Sequence, residues 1–336
     1  MLKYVVPILV LLMGKLSAQG YQYEGDCCWY NRLEVGADWI YWKASQEEMD
    51  MAAADITTGG GANITSTALV PDFSYKSGYK VYLTYDLGCD WTFYAGLTRL
   101  SSNAGVSEFF DPAAAIAHTS TIVLNSVSFP ILLSITSDPE QVINSVYSSW
   151  DLNLYYLDLD IGRRFFSCRW LELGSYFGLR GMWMKQTLDL DAVTPNFQDE
   201  PGIVAFFFLD QQEKIRGVGI QGGMNGYWRI GCGFSLIGQF GGSLLYSRFN
   251  VNGDLDINNP VGATPTSIEF GGSFHKSIPT VDTSILLQYA TCFCGHGVEL
   301  HIGWENHLFF HTNFFGLSES GNLTMEGLTL GGSLRF

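Results

Sequence analysis

The sequence predicts an all-β fold, an antiparallel transmembrane β-barrel with long extracellular loops and short periplasmic turns. Ten strands are expected, with twelve as the alternative. Three observations predict it. The composition is aromatic-rich (15%) and charge-poor (15%), with 38 glycines in 336 residues, against about 25% charged residues in a soluble domain. Apolar and polar residues alternate over ten separate stretches, the period of a strand with two unlike faces. The connections between these stretches alternate long and short, as in a barrel whose periplasmic turns are tight and whose outer loops are not.

The segments follow in order. Residues 1–18 read as a secretory signal: Lys3 gives the positive start, Tyr4 to Met13 the apolar core, and Leu16-Ser17-Ala18 the cleavage site. The apolar run is shorter than the roughly 20 residues a membrane-spanning helix needs, and Gln19 rather than Cys follows the cut. Residues 19–31 are then a periplasmic N-terminal segment and 32–336 the barrel. The alternating stretches are 32–42, 73–86, 91–100, 150–164 and 170–186, then 215–229, 234–249, 278–290, 298–310 and 323–336. In the first, Val35, Trp39 and Tyr41 point one way, and Glu34, Asp38 and Ile40 the other. In the fifth, Phe177, Leu179 and Trp183 oppose Glu172 and Arg180. Residues 187–214 and 250–277 read as long loops, as does 101–149. That last loop holds an uncharged run, Pro112 to Ser137, expected to fold into the lumen, pack on the rim, or add a wall hairpin.

Setting the apolar face to lipid leaves a charged set for the lumen. The candidates are Glu34, Asp38, Lys76, Lys80, Asp158, Asp160, Glu172, Arg180, Arg229, Asp282, Glu299 and Glu305, with Arg164 and Arg335 as further inward bases. Acids outnumber bases among them, and rings of carboxylates favour cations. The net charge of −15 argues against a nucleic-acid partner, since that partnership rests on basic side chains.

Three patterns invite a chemical reading. Gly217-Val218-Gly219-Ile220-Gln221-Gly222 has dinucleotide-site spacing but lies inside a strand, without the helix such a site needs. Cys292-x-Cys294-x-His296 is too tightly spaced for the usual zinc set. His307 and His311, with Glu305 and Asp282, suggest an acid–histidine pair at the outer rim. Rim and lumen residues are polar by default, so no enzyme, metal or cofactor is expected.

The seven cysteines have a one-sided distribution. Cys27 and Cys28 precede the first strand; Cys89, Cys168 and Cys232 lie in three short turns, and Cys292 and Cys294 in a fourth. All therefore fall on the periplasmic side, which is oxidising. Turns around a rim are mostly farther apart than the ~7 Å a disulfide spans, so intermolecular bonds are expected, to copies of the chain or to cysteine-rich envelope proteins.

The chain ends on Leu328, Leu330, Leu334 and Phe336, all on one face, the form of a terminal strand read by the barrel insertion machinery. The run Ala37-Asp38-Trp39-Ile40-Tyr41-Trp42-Lys43-Ala44 is followed by an acidic loop start, Glu47, Glu48 and Asp50. It resembles the first strand of the Legionella-type pore-forming major outer membrane proteins, with MOMP-like proteins of chlamydia relatives. Leu154 to Phe166, Gly178-Leu179-Arg180-Gly181, Gly303-Trp304-Glu305-Asn306-His307 and Leu328-Thr329-Leu330 are similar to that family as well. The resemblance implies an outer membrane location in a Gram-negative bacterium and a porin-like surface protein that passes small hydrophilic solutes. The alternative is a structural or adhesive barrel, cross-linked in the envelope, without channel activity.

Overall fold

A computed structural model describes residues 32–47, 49, 52–57, 64–109, 120–123, 145–195, 204–258, 266–293, 295–315 and 321–336. The expected signal and N-terminal segment lie outside them, as do Cys27, Cys28 and Cys294. Ten strands close into a barrel: β1 (Leu33–Gln46), β4 (Tyr75–Gly88), β5 (Trp91–Phe109), β7 (Ser145–Ser167), β8 (Leu171–Pro195), β9 (Val204–Gly231), β10 (Phe234–Asn258), β11 (Thr266–Phe293), β12 (His296–Phe309) and β13 (Leu323–Arg335). Every neighbouring pair is antiparallel, and β1 closes the ring by pairing with both β13 and β4. Closure removes the open edges that lipid would leave unsatisfied. A small separate sheet, β3-β2-β6, joins β2 (Ala52–Thr57), β3 (Ile64–Leu69) and β6 (Ser120–Val123). The described part of the uncharged run, β6, lies in this sheet rather than in the wall; the rest of the run lies outside the described residues.

All ten expected strands are present, and the short turns are very tight. Cys89-Asp90 joins β4 to β5 with both φ angles positive (52° and 66°), and Cys232-Gly233 joins β9 to β10 at 54° and 84°. Two left-handed residues in succession match the twist of paired strands, the type I′ geometry.

Three expected loops are strand over much of their length. Of 101–149, residues 101–109 continue β5 and 145–149 begin β7. Residues 187–195 and 204–214 continue β8 and β9, and 250–258 and 266–277 continue β10 and β11. The alternation persists there with its phase reversed. Lower on β8, Phe177, Leu179 and Trp183 face outward, 63%, 52% and 46% exposed. Higher up, Leu188, Leu190 and Ala192 are buried inside while Asp189 and Asp191 take the outer face. Lipid selects apolar residues outside; water above the membrane selects polar ones. The wall formed by β7 to β11 thus rises beyond the membrane as an ordinary water-facing sheet around a packed core.

Candidate functional site: the barrel lumen

The twelve charged lumen candidates all lie on inward positions of their strands. Their arrangement follows from register. Asp158 on β7 is directly opposite Arg180 on β8, and the guanidinium grips it with two bonds, Nε to Oδ1 at 2.7 Å and Nη2 to Oδ2 at 3.0 Å. Arg180 also reaches across the lumen to Asp282 on β11, Nη1 to Oδ2 at 2.7 Å. Asp282 meets His307 Nδ1 on β12 at 2.7 Å, His307 Nε2 lies 3.2 Å from Glu305, and Glu305 pairs with Lys80 on β4. One chain of charge, Asp158–Arg180–Asp282–His307–Glu305–Lys80, spans the interior. Lys80 caps the Trp42 ring at 4.9 Å, and Arg180 stacks on Tyr156 at 5.0 Å.

Nearer the periplasmic turns the pairing continues. Arg335 binds Glu34 at 2.8 Å and Glu299 at 2.9 Å; Asp38 meets His301 at 3.0 Å; Gln221 donates to Asp160 at 2.7 Å. Glu172 pairs with Arg229 and, at 3.6 Å, with Arg164. Lys76 faces Trp42 across the β1–β4 ladder. The expected surplus of inward acid is therefore largely matched by bases and histidines.

His307 is the main relocation. Expected near the outer rim, it is only 7% exposed, with a carboxylate on each ring nitrogen and Trp42 against its face at 4.7 Å. Sequence spacing puts it near the end of a strand, and that strand lies inside a taller wall. Gly217, Gly219 and Gly222 lie within β9, as their strand pattern implied. A Cβ at Gly219 would overlap the Leu244 carbonyl of β10, so glycine permits the close approach of the wall strands.

Above the ionic layer the lumen is packed mainly with apolar side chains, with Glu213, Gln46, Ser148 and Ser247 buried among them and Lys276 over the Phe314 ring at 4.6 Å. Trp42, Trp150, Leu152, Ile215, Leu245 and Phe249 are all fully buried there. The segment from Phe310 to Phe315 leaves β12 and crosses to the far wall. Gln186 of β8 donates to the Thr312 carbonyl and Gln211 of β9 to that of Phe314, both at 3.1 Å. Phe314 packs edge-on against Phe249 and Phe274, and Asn313 donates to the carbonyl of Glu47, just past the end of β1, at 2.9 Å. These anchors were not legible in the sequence, because Gln186 and Gln211 sit in or beside a stretch with the look of a loop. Their one signal was the inverted alternation around them.

On the periplasmic rim, Cys89, Cys168 and Cys232 are exposed and unbonded. Cys292 is disulfide-bonded. Phe336 is held by reciprocal backbone bonds to Leu33, at 2.7 and 3.3 Å, and faces outward. Among the described residues no group of His, Cys, Asp and Glu has the arrangement of a metal site.

No curated protein sequence matches the chain. Solved structures similar to it include the outer membrane protease OmpT from Escherichia coli, at 13% identity and a TM-score of 0.43, covering 95% of this chain and 99% of that one. The CymD monoaromatic hydrocarbon channel is 11% identical with a TM-score of 0.33, over 96% and 95% of the two chains. A major outer membrane protein from Thermus thermophilus is 11% identical with a TM-score of 0.29, over 90% and 99%. The family model described as Legionella pneumophila major outer membrane protein precursor matches residues 27–336. A closed, lipid-faced barrel matched over nearly its whole length by that model belongs to this outer membrane protein family, and its place is the outer membrane of a Gram-negative bacterium.

Proposed function

We propose that this chain is a structural surface barrel of the outer membrane, sealed along its lumen, with its periplasmic rim joined by disulfides to copies of itself or to cysteine-rich envelope proteins. The observation that carries the reading is the close-packed, mainly apolar layer in the outer lumen. A hydrophilic solute would have to pass fully buried Trp42, Trp150 and Phe249 and the segment crossing above them. Stripping water from a polar solute costs several kcal/mol per unpaired polar group, on the order of 2–7. The narrow diameter of ten strands adds to the block. Chemistry is not part of this reading: His307 is buried, with both nitrogens engaged, and cannot present a base to a substrate. Phe336 serves as the assembly signal.

The second reading is the passive pore for small hydrophilic solutes that the family resemblance implies. It is favoured by the charged lower lumen, whose Arg180, Asp282, Lys80 and Glu305 are the side chains a water-filled passage carries.

Planar bilayers separate the two. The structural reading expects no stepwise conductance from the intact protein, and none after residues 311–320 are replaced by a short Gly-Ser linker, because the apolar layer stays. Steady channels in the intact protein, with weak cation preference in a salt gradient, would establish the pore instead.

A further inference from the structure

We propose that the outer face of β8, β9 and β10 carries a docking surface for the phosphate groups of a phosphorylated glycolipid in the outer leaflet. The proposal starts from an anomaly in the ladder. Lys185 is directly opposite Lys214, and one rung below on the neighbouring pair Arg216 is directly opposite Arg248. All four side chains are exposed on the lipid-facing side of the wall, and no ion pair to any of them occurs among the described residues. Opposed residues in an antiparallel ladder stand about 5 Å apart, and like charges there are destabilising. Four of only 18 Lys and Arg residues in a chain with 33 acids are thus gathered where they repel one another.

Height says what relieves them. Immediately below, the outer face is apolar: Leu179, Val218, Ile220 and Leu244 are each more than half exposed. At the level of the cations the face is aromatic. Tyr155, Trp183, Arg216, Arg248 and His275 form one continuous rung across β7 to β11, and the His275 ring stacks on Tyr246 at 5.4 Å. Trp and Tyr mark the boundary between hydrocarbon and headgroups. The cations therefore stand at headgroup depth on the outer side, against lipid rather than open water. Two rungs above the lysines, beyond Thr187, Gln212 and Asn252, lies a row of acids in register, Asp189, Asp210, Asp254 and Glu269. That row repels a phosphate, so the anion-favouring zone is a single band at one depth. Arginine forks suit phosphate oxygens, lysines supply point charge beside them, and the aromatic rung seats the sugar and acyl region below.

The test uses the full-length protein folded in a neutral detergent. Its thermal midpoint is read by heat-modifiable gel migration, with bis-phosphorylated lipid A, dephosphorylated lipid A, phosphatidylcholine or inorganic phosphate added. The comparison variant carries K185Q, K214Q, R216Q and R248Q. The expected result is stabilisation of the wild type by bis-phosphorylated lipid A alone, weakened by salt, with apparent affinity at least about tenfold lower in the variant. The variant should be at least as stable as the wild type without lipid, because two repelling pairs are gone. Equal response of wild type and variant overturns the proposal. So does a full effect from dephosphorylated lipid A, or from inorganic phosphate, which would make the patch a free-anion site. These four residues play no part in the sealed lumen, so failure here leaves that reading standing.

Discussion

Arg180 shows how much one inward residue can carry. It is 5% exposed, bound to carboxylates on two strands and stacked on Tyr156. A buried ion pair is weak grounds for net stability, since desolvation offsets attraction, but removing one partner strands the other. R180M should therefore cost about 3–5 kcal/mol, read as a lower urea midpoint in detergent. Adding D158N and D282N to R180M should recover most of that loss. If R180M alone changes stability by under about 1 kcal/mol, the charge chain is not the structural tie described here. The participants were legible in the sequence as inward charges. Their partners were not, because Asp282 and Arg180 are brought together across the lumen by the closure of the ring, and no local spacing encodes that.

At the scale of the element, the tall extensions of β8 to β11 are the main departure from expectation. Apolar-outward alternation fails near Lys185 and Lys214, so a strand pattern built on it ends there. The strands continue because a second environment, water outside and a packed interior, asks for the opposite phase at the same period. The outer row of acids there has a pH signature. Burial first, then the neighbouring Asp210 and other acids, raise the Asp189 carboxyl above its ordinary value. A folded-state value above the unfolded one means the native state holds its proton to higher pH. Stability is therefore greater at low pH and falls as pH rises from about 4, the unfolded Asp value. D210N should flatten that fall and add about 0.2–1 kcal/mol at neutral pH, measured by denaturant unfolding across pH 4–7. A steeper fall in D210N than in the wild type would contradict the account. The crossing segment belongs to this scale too. By spacing it is only a connection of medium length, and the register of β8 and β9 alone places Gln186 and Gln211 where they catch its carbonyls.

For the whole molecule, the ring of short turns sets how the barrel meets its surroundings. Cys89, Cys168 and Cys232 occupy three of the turns and are exposed on one rim. Thiols exposed in an oxidising compartment are expected to be consumed. Non-reducing gels of native outer membranes, with thiols blocked at lysis, should show ladders above the monomer that collapse on reduction. Replacing these three cysteines by serine should remove most of the ladder. A monomer band alone would rule out cross-linking between chains.

The sequence by itself determined the class of fold, the ten wall strands and the alternation of short and long connections. Each of these follows from local physics: a period of two, a lipid-facing surface, and left-handed turn residues such as Cys232-Gly233. The tertiary structure alone decided that the outer lumen is close-packed, that Phe310 to Phe315 crosses it, and that Lys185, Lys214, Arg216 and Arg248 gather on one face. Those facts depend on ring closure and on register between strands far apart in sequence. Composition says what each strand carries, and only the ladder says what lies opposite.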